Sequence, residues 1–182
     1  MAIFEGAGVA LVTPMNENLE VNYDKLEELL EEQIAGGTDA IVICGTTGES
    51  ATLTEEEHMR TVVAGTGSNS TATATQMSKE AAEAGADGIL LVTPYYNKGT
   101  QNGLIKHYTT ITEEAKVPAI LYNVPSRTGC SLAASTVAYL AKNAEYVTAI
   151  KEASGDISHV ADIMYACDGA IDLYSGNDDQ IV

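Results

Sequence analysis

The sequence predicts an α/β protein built on a parallel sheet, and three observations carry that prediction. Short apolar runs recur along the chain, each followed by Gly, Pro, Asn, Thr or Ser and then by a segment with helical spacing. Most of these runs are apolar throughout rather than alternating, as strands are when both faces of their sheet are covered. Three candidate strand ends, Thr93, Asn123 and Lys151, lie 30 and 28 residues apart, which is one βαβ step each.

The strand candidates, in order, are residues 8–12, 41–44, 62–64, 89–92, 119–122, 147–150 and 171–174. Between the first two, Leu26, Leu29, Leu30 and Ile34 form one apolar helical stripe. Leu104, Ile105, Tyr108 and Ile111 form another between the fourth and fifth. Thr54 with Glu57 reads as a capping box at a further helix start. One interval is short: only 20 residues separate Gly45 from Gly65, and they must hold a turn, a helix and the start of the next strand. A parallel crossover needs about a dozen residues beyond its strands, so either the strand at Val62, Val63 and Ala64 is stunted or the helix before it is cut short.

Composition narrows the function. A chain of 182 residues suits one domain with a sizeable core. Nine Lys and Arg against 26 Asp and Glu give a net charge of −17, a surface that repels phosphate backbones and anionic lipid. Nucleic acid and membrane are therefore poor partners, and attraction for an anionic substrate has to be local. No apolar stretch reaches membrane-spanning length and no signal peptide is legible, so a cytoplasmic address is expected. Cys44, Cys130 and Cys167 are odd in number and lack paired spacing, which reads as reduced thiols. His58, His107 and His159 form no ligand cluster, so neither a metal nor a cofactor is expected.

The chemistry is expected where the strands end, since sites in such sheets form at the carboxyl ends. Lys151 follows the run Val147-Thr148-Ala149-Ile150 and precedes the polar turn Glu152-Ala153-Ser154-Gly155. Burial disfavours the ammonium form, and a neutral lysine amine attacks carbonyls to form a Schiff base. A lysine that only snorkels to water is the plain alternative. Tyr122 shares its strand face with Ile120, and Lys151 shares one with Ala149 and Val147. A phenol beside the amine can shuttle the protons such chemistry needs; alone it reads equally as a core tyrosine. The Gly-Thr-Thr-Gly-Glu-Ser turn at 45–50 offers backbone N–H groups and hydroxyls suited to a carboxylate, though by itself it reads more readily as a tight turn with a helix cap. Arg127, in a Pro-Ser-Arg-Thr-Gly turn, can grip a carboxylate with two hydrogen bonds or sit exposed on the surface. Tyr95 and Tyr96 on a rim loop suggest packing or a subunit contact.

In this order, Gly-Thr-Thr-Gly-Glu-Ser, Thr-Pro-Tyr-Tyr-Asn-Lys, Leu-Tyr-Asn-Val-Pro-Ser-Arg-Thr-Gly, Ile-Lys-Glu-Ala-Ser-Gly and Tyr-Ser-Gly-Asn-Asp-Asp resemble the dihydrodipicolinate synthase family of pyruvate-dependent lyases and aldolases. The resemblance runs from about Ile3 to Val182. It implies a (β/α)8 TIM barrel, of which residues 1–182 supply a partial domain of about seven strands, with the third strand truncated and the eighth strand and C-terminal helical extension absent. It implies condensation of pyruvate with L-aspartate 4-semialdehyde, on the way to diaminopimelate and lysine, in a homo-oligomer that is a tight dimer or tetramer.

The resemblance also assigns roles. Lys151 is the Schiff-base nucleophile and Tyr122 the general acid/base. Thr47 links Tyr122 to Tyr96, which completes the proton relay from the neighbouring subunit. Thr46 and Thr47 hold the pyruvate carboxylate, Gly176 lines that pocket, and Arg127 meets the semialdehyde carboxylate. Ser50, Ala51, His58, Asn69 and Tyr95 match places where family members bind lysine as a feedback inhibitor, while Glu55 and Thr73 differ from residues used in strongly inhibited members. Two other readings remain open: a sibling aldolase for a sialic or deoxy-keto sugar acid, and an inactive fragment serving only as a binding or association module. The catalytic reading requires Lys151, Tyr122 and Thr47 to converge on one cavity, with Lys151 and Tyr122 within about two hydrogen-bond lengths.

Overall fold

A computed structural model describes residues 3–45, 47–48 and 62–180 of the chain. The capping box at Thr54 and Glu57 therefore lies outside the described residues, as do Thr46, Ser50, Ala51 and His58.

Seven strands form one parallel sheet in sequential order: β1 (Gly8–Ala10), β2 (Ala40–Ile43), β3 (Val62–Gly65), β4 (Gly88–Val92), β5 (Ala119–Asn123), β6 (Val147–Glu152) and β7 (Asp172–Ser175). Every adjacent pair is parallel, which is the curled arrangement of an incomplete TIM barrel. The described helices are α1 (Tyr23–Ala35), α2 (Thr71–Glu83), α3 (Gln101–Ala115), the single turn α4 (Pro125–Thr128), α5 (Ala134–Asn143) and α6 (Ile157–Cys167). The third strand, expected to be cut short, has four residues, as β2 does, and pairs with neighbours on both sides.

Helix starts follow from local side-chain chemistry. Asn22, Ser70, Thr100 and Asp156 each accept a backbone N–H from the first turn of α1, α2, α3 and α6, satisfying donors the helix leaves open. The stripe foreseen on α1 packs as expected: Leu30 is buried, and Leu26, Leu29 and Ile34 lie with it against Ile41 and Ile43. On α3, Leu104, Tyr108 and Ile111 are fully buried.

The sheet has two apolar faces. Outward, Ile89, Leu91, Ala119, Leu121 and Ile150 pack against the helices. Inward, Val42, Val63, Leu90, Ile120 and Ala149 meet one another, with Tyr122, Tyr174 and Phe4 around them. Phe4 stacks on Tyr174 at 4.5 Å between ring centres, and the Tyr174 hydroxyl donates to the Phe4 carbonyl at 2.6 Å. That contact ties the last described strand to the segment preceding the first.

One facing expectation is corrected. Val147 does not share a face with Ala149 and Lys151; it packs outward among the helices. The register explains why: Ala119 pairs with Val147 but Ile120 pairs with Ala149, so Thr148 is an extra residue in β6. Such a bulge reverses the alternation below it.

Between α2 and α3, His107 is buried, with Nδ1 2.9 Å from Thr71 Oγ1 and Nε2 buried without a protein partner. Burial lowers its pKa to about 4. The unfolded chain takes up this proton near pH 6.5, so between there and pH 4 the unfolded state binds more protons. The stability that neutral His107 contributes is complete above pH 6.5 and is lost as pH falls toward 4. Urea unfolding should register a loss of up to about 3 kcal/mol across that window, and His107→Gln should remove this part of the slope.

Candidate functional site

The site is built at the carboxyl ends of the strands. Strand β5 carries Tyr122 and strand β6 carries Lys151, and the two are direct partners in the parallel register. Lys151 is also the partner of Tyr174 on β7, so a tyrosine flanks it from each neighbouring strand. The Lys151 amine lies 4.9 Å from the centre of the Tyr122 ring. Both side chains are half-buried, inside the sheltered end of the sheet. The amine thus lies over the Tyr122 ring, within the expected two hydrogen-bond lengths of the ring centre.

Strand β6 extends one residue beyond expectation. Glu152, placed in a polar turn on sequence grounds, is instead the last residue of the strand and is 3% exposed. Its burial is possible because both carboxylate oxygens accept hydrogen bonds, from Asn123 Nδ2 at 2.8 Å and from the Ser154 backbone at 2.7 Å.

The small open cavity beside Tyr122, about 40 Å³, is lined by Cys44, Gly45, Gly65, Gly67, Leu90, Val92 and Tyr122. Its floor depends on missing side chains. A Cβ on Gly65 would overlap the Cys44 carbonyl, and one on Gly67 the backbone nitrogen of Val92. On the lysine side, a Cβ on Gly176 would stand 3.1 Å from Lys151 Cε and 2.7 Å from Ala153 Cβ, so only glycine leaves the stem its room. Gly176 is therefore beside Lys151.

The tyrosine's electrostatics are mixed. Burial raises the Tyr122 pKa, and the Arg127 guanidinium acts in the opposite direction. Its phenol thus keeps its proton at neutral pH. Arg127 itself is exposed and sits on the one-turn helix α4 rather than in an irregular turn. Pro125 opens that helix and Gly129, at φ +67°, closes it.

The remaining candidates divide. Thr47 is exposed at the β2 end of the rim and, like Lys151, is not among the residues lining the cavity, so the expected convergence of Lys151, Tyr122 and Thr47 on one cavity is not met; the neighbour of Thr47, Gly48, accepts a hydrogen bond from Thr13 Oγ1 at 2.6 Å. Tyr95 and Tyr96 project outward, Tyr96 88% exposed on a backbone at φ +73°. Asn69 is brought to their loop, since its carbonyl accepts from Asn97 Nδ2 at 2.8 Å. Among the described residues no group of His, Cys, Asp or Glu could hold a metal ion, and no helix is long and apolar enough to cross a membrane.

A lysine and a tyrosine paired on adjacent strands at the carboxyl rim define the class: a parallel-barrel protein with an amine poised beside a phenol. The family model of the dihydrodipicolinate synthetase family matches residues 3–182, and the chain belongs to that family. It is 56% identical to the 4-hydroxy-tetrahydrodipicolinate synthase of Lachnoclostridium phytofermentans over all of this chain and 66% of that relative. The alignment spans 195 positions against 182 residues here, so the relative holds residues with no counterpart in this chain. Among solved structures, dihydrodipicolinate synthase from Thermotoga maritima superimposes with a TM-score of 0.92 at 37% identity, covering 98% of this chain and 66% of that one. A chloride-inhibited dihydrodipicolinate synthase from Acinetobacter baumannii, complexed with pyruvate, gives 0.91 at 43% identity, covering 98% and 65%. The chain thus spans about two-thirds of the length of the proteins it matches.

Asn123 and Glu152 were not singled out on sequence grounds. The signal available was their position, each one residue beyond a candidate catalytic side chain on the opposite strand face.

The glycine floor yields a test. Gly65→Ala should cost about 1–3 kcal/mol in urea unfolding, because the new methyl meets backbone that cannot yield without parting β2 from β3.

Proposed function

We propose that this chain carries the site of an imine-forming lyase that condenses pyruvate with L-aspartate 4-semialdehyde to give 4-hydroxy-tetrahydrodipicolinate, a step toward diaminopimelate and lysine. The observation that carries the reading is the Lys151 amine 4.9 Å from the Tyr122 ring on register-paired residues. Family membership and the pyruvate-bound neighbour support the substrate class.

In this reading the neutral Lys151 amine adds to the keto carbon of pyruvate, giving a carbinolamine. Tyr122 donates its proton to the departing hydroxyl, water leaves, and the imine forms. The tyrosinate then takes a proton from the methyl carbon, the resulting enamine attacks the aldehyde carbon of the second substrate while Tyr122 returns the proton to the aldehyde oxygen, and the amino group of that substrate displaces Lys151 from the imine carbon, closing the ring and freeing the lysine. A phenol held protonated by burial suits the first of these transfers. Gly176 leaves space along the lysine stem for the ketoacid.

The other roles belong to the same proposal. Thr46 and Thr47 hold the pyruvate carboxylate, and Arg127, exposed at the rim, receives that of the semialdehyde. Tyr96 serves the site of a second copy, in a homo-oligomeric, tight-dimer or tetrameric, cytoplasmic enzyme. Its 88% exposure suits a side chain that works across a subunit boundary. Lysine as inhibitor would lie near Ser50, Ala51, His58, Asn69 and Tyr95, of which the Asn69 and Tyr95 loops are joined through Asn97.

Borohydride added with pyruvate should leave a reduced adduct on Lys151, located by peptide mass analysis, and Lys151→Ala should leave none. Tyr122→Phe should still bind pyruvate while turnover falls about 10²–10⁴-fold. A folded sample with no adduct on Lys151 would overturn the imine reading. Turnover of a sugar acid without turnover of the semialdehyde would overturn the substrate.

A further inference from the structure

The amine and phenol meet only if β5 and β6 are held in one register at their ends, and the lower part of β6 does not secure it. The extra residue Thr148 breaks the alternation three residues before Lys151. A shift of one residue would put Ile150 or Glu152 where Lys151 stands, because side chains alternate between faces. Something above the bulge has to fix the pairing.

Asn123 and Glu152 stand at that place, as the last register pair of the two strands. Asn123 is 0% and Glu152 3% exposed. Asn123 Nδ2 donates to Glu152 Oε2 at 2.8 Å, and Asn123 Oδ1 accepts from the Leu132 backbone at 3.0 Å. Glu152 Oε1 accepts from the Ser154 backbone at 2.7 Å. His159 Nε2, 3.9 Å from Glu152 Oε2, is the second side chain at this carboxylate. The main chain adds two more links, from Ala153 N to Asn123 O and from Gly176 N to Glu152 O. The pair thus joins β5, β6 and the loops after both strands, on the face away from the cavity.

An apolar pair would fill this space without the cost of burying a carboxylate. What the polar pair adds is direction: its donors and acceptors match in one register only. We propose that Asn123 and Glu152 are positioning residues, a buried hydrogen-bonded clamp that sets the Lys151 amine against the Tyr122 phenol. This rests on the imine reading above.

The hydrogen-bond pattern supplies its own test. Glu152→Gln leaves one carbonyl oxygen to serve two donors, Asn123 Nδ2 and Ser154 N. Asn123→Asp sets two carboxylates against each other. The double exchange, Asn123→Asp with Glu152→Gln, restores every bond: the carboxylate now on β5 accepts from Leu132 N and from the new amide on β6, whose oxygen accepts from Ser154 N. The measurement is the rate of borohydride-trapped adduct on Lys151 at saturating pyruvate, with the half-saturating concentration determined separately and the folded fraction checked by circular dichroism.

Each single variant should trap on the order of 10²-fold more slowly, with the half-saturating concentration little changed, since alignment is lost rather than the binding surface. The double variant should return to within about threefold of the parent. Folded single variants that trap at the parent rate, or a folded double variant no faster than the singles, would overturn the clamp. If a single variant does not fold, the double decides by the same threefold limit. A parent chain that traps nothing would instead overturn the imine reading itself.

Discussion

The pairing of β5 with β6 is the constraint on which the site depends. Neither Lys151 nor Tyr122 reaches the other by virtue of a long side chain or a flexible loop. They are adjacent because Tyr122 and Lys151 occupy matching positions on neighbouring parallel strands, where the separation is set by the sheet itself. The same register places Asn123 opposite Glu152 on the reverse face. One register therefore produces two polar contacts of different kinds. The inward one faces the side of the sheet that carries the cavity, and the outward one is buried and hydrogen-bonded through both side chains.

Around that pairing, the rim is shaped as much by what is missing as by what is there. Gly65, Gly67 and Gly176 sit where any side chain would meet backbone or the lysine stem. None of the three requires an unusual backbone angle, so their role is space rather than flexibility. Cavity volume beside Tyr122 is thus bought from the strands themselves. The bulge at Thr148 works in the same direction, since it turns Val147 outward into the helix layer while leaving Ala149, the smallest apolar side chain, beneath Lys151.

Much of this was legible in the sequence because the physics was local. Continuous apolar runs marked the parallel strands, and the stripes on α1 and α3 marked their buried faces. Lys151 stood out as a lone amine after an apolar run, and it proved to be within reach of Tyr122. The misreadings share a cause. Val147 was assigned to the wrong face because a bulge is defined by the partner strand, which spacing along one chain does not reveal. Glu152 was read as the first residue of a turn because a carboxylate ordinarily ends a strand. Its burial depends on Asn123, 29 residues away, and on Ser154. The exposure of Thr47, outside the lining of the cavity, likewise depends on how its rim loop sits against Thr13 and Leu11.

The charge of the chain and the charge of its proposed substrates are compatible for a reason of length scale. A net charge of −17 would oppose an anionic ketoacid if every carboxylate acted at full range. At physiological ionic strength, however, exposed charges are screened over about 8 Å. What an anion meets at the rim is decided by the few groups within that distance. There the Lys151 stem runs beside Tyr122, and Arg127 is close enough to oppose the effect of burial on the Tyr122 phenol. Glu152, the nearest carboxylate in sequence, points to the other face and shares its charge with Asn123 and the Ser154 backbone. An acidic protein can therefore still offer an anion the Arg127 guanidinium at the rim, provided the strand register keeps Lys151 facing in and Glu152 facing out.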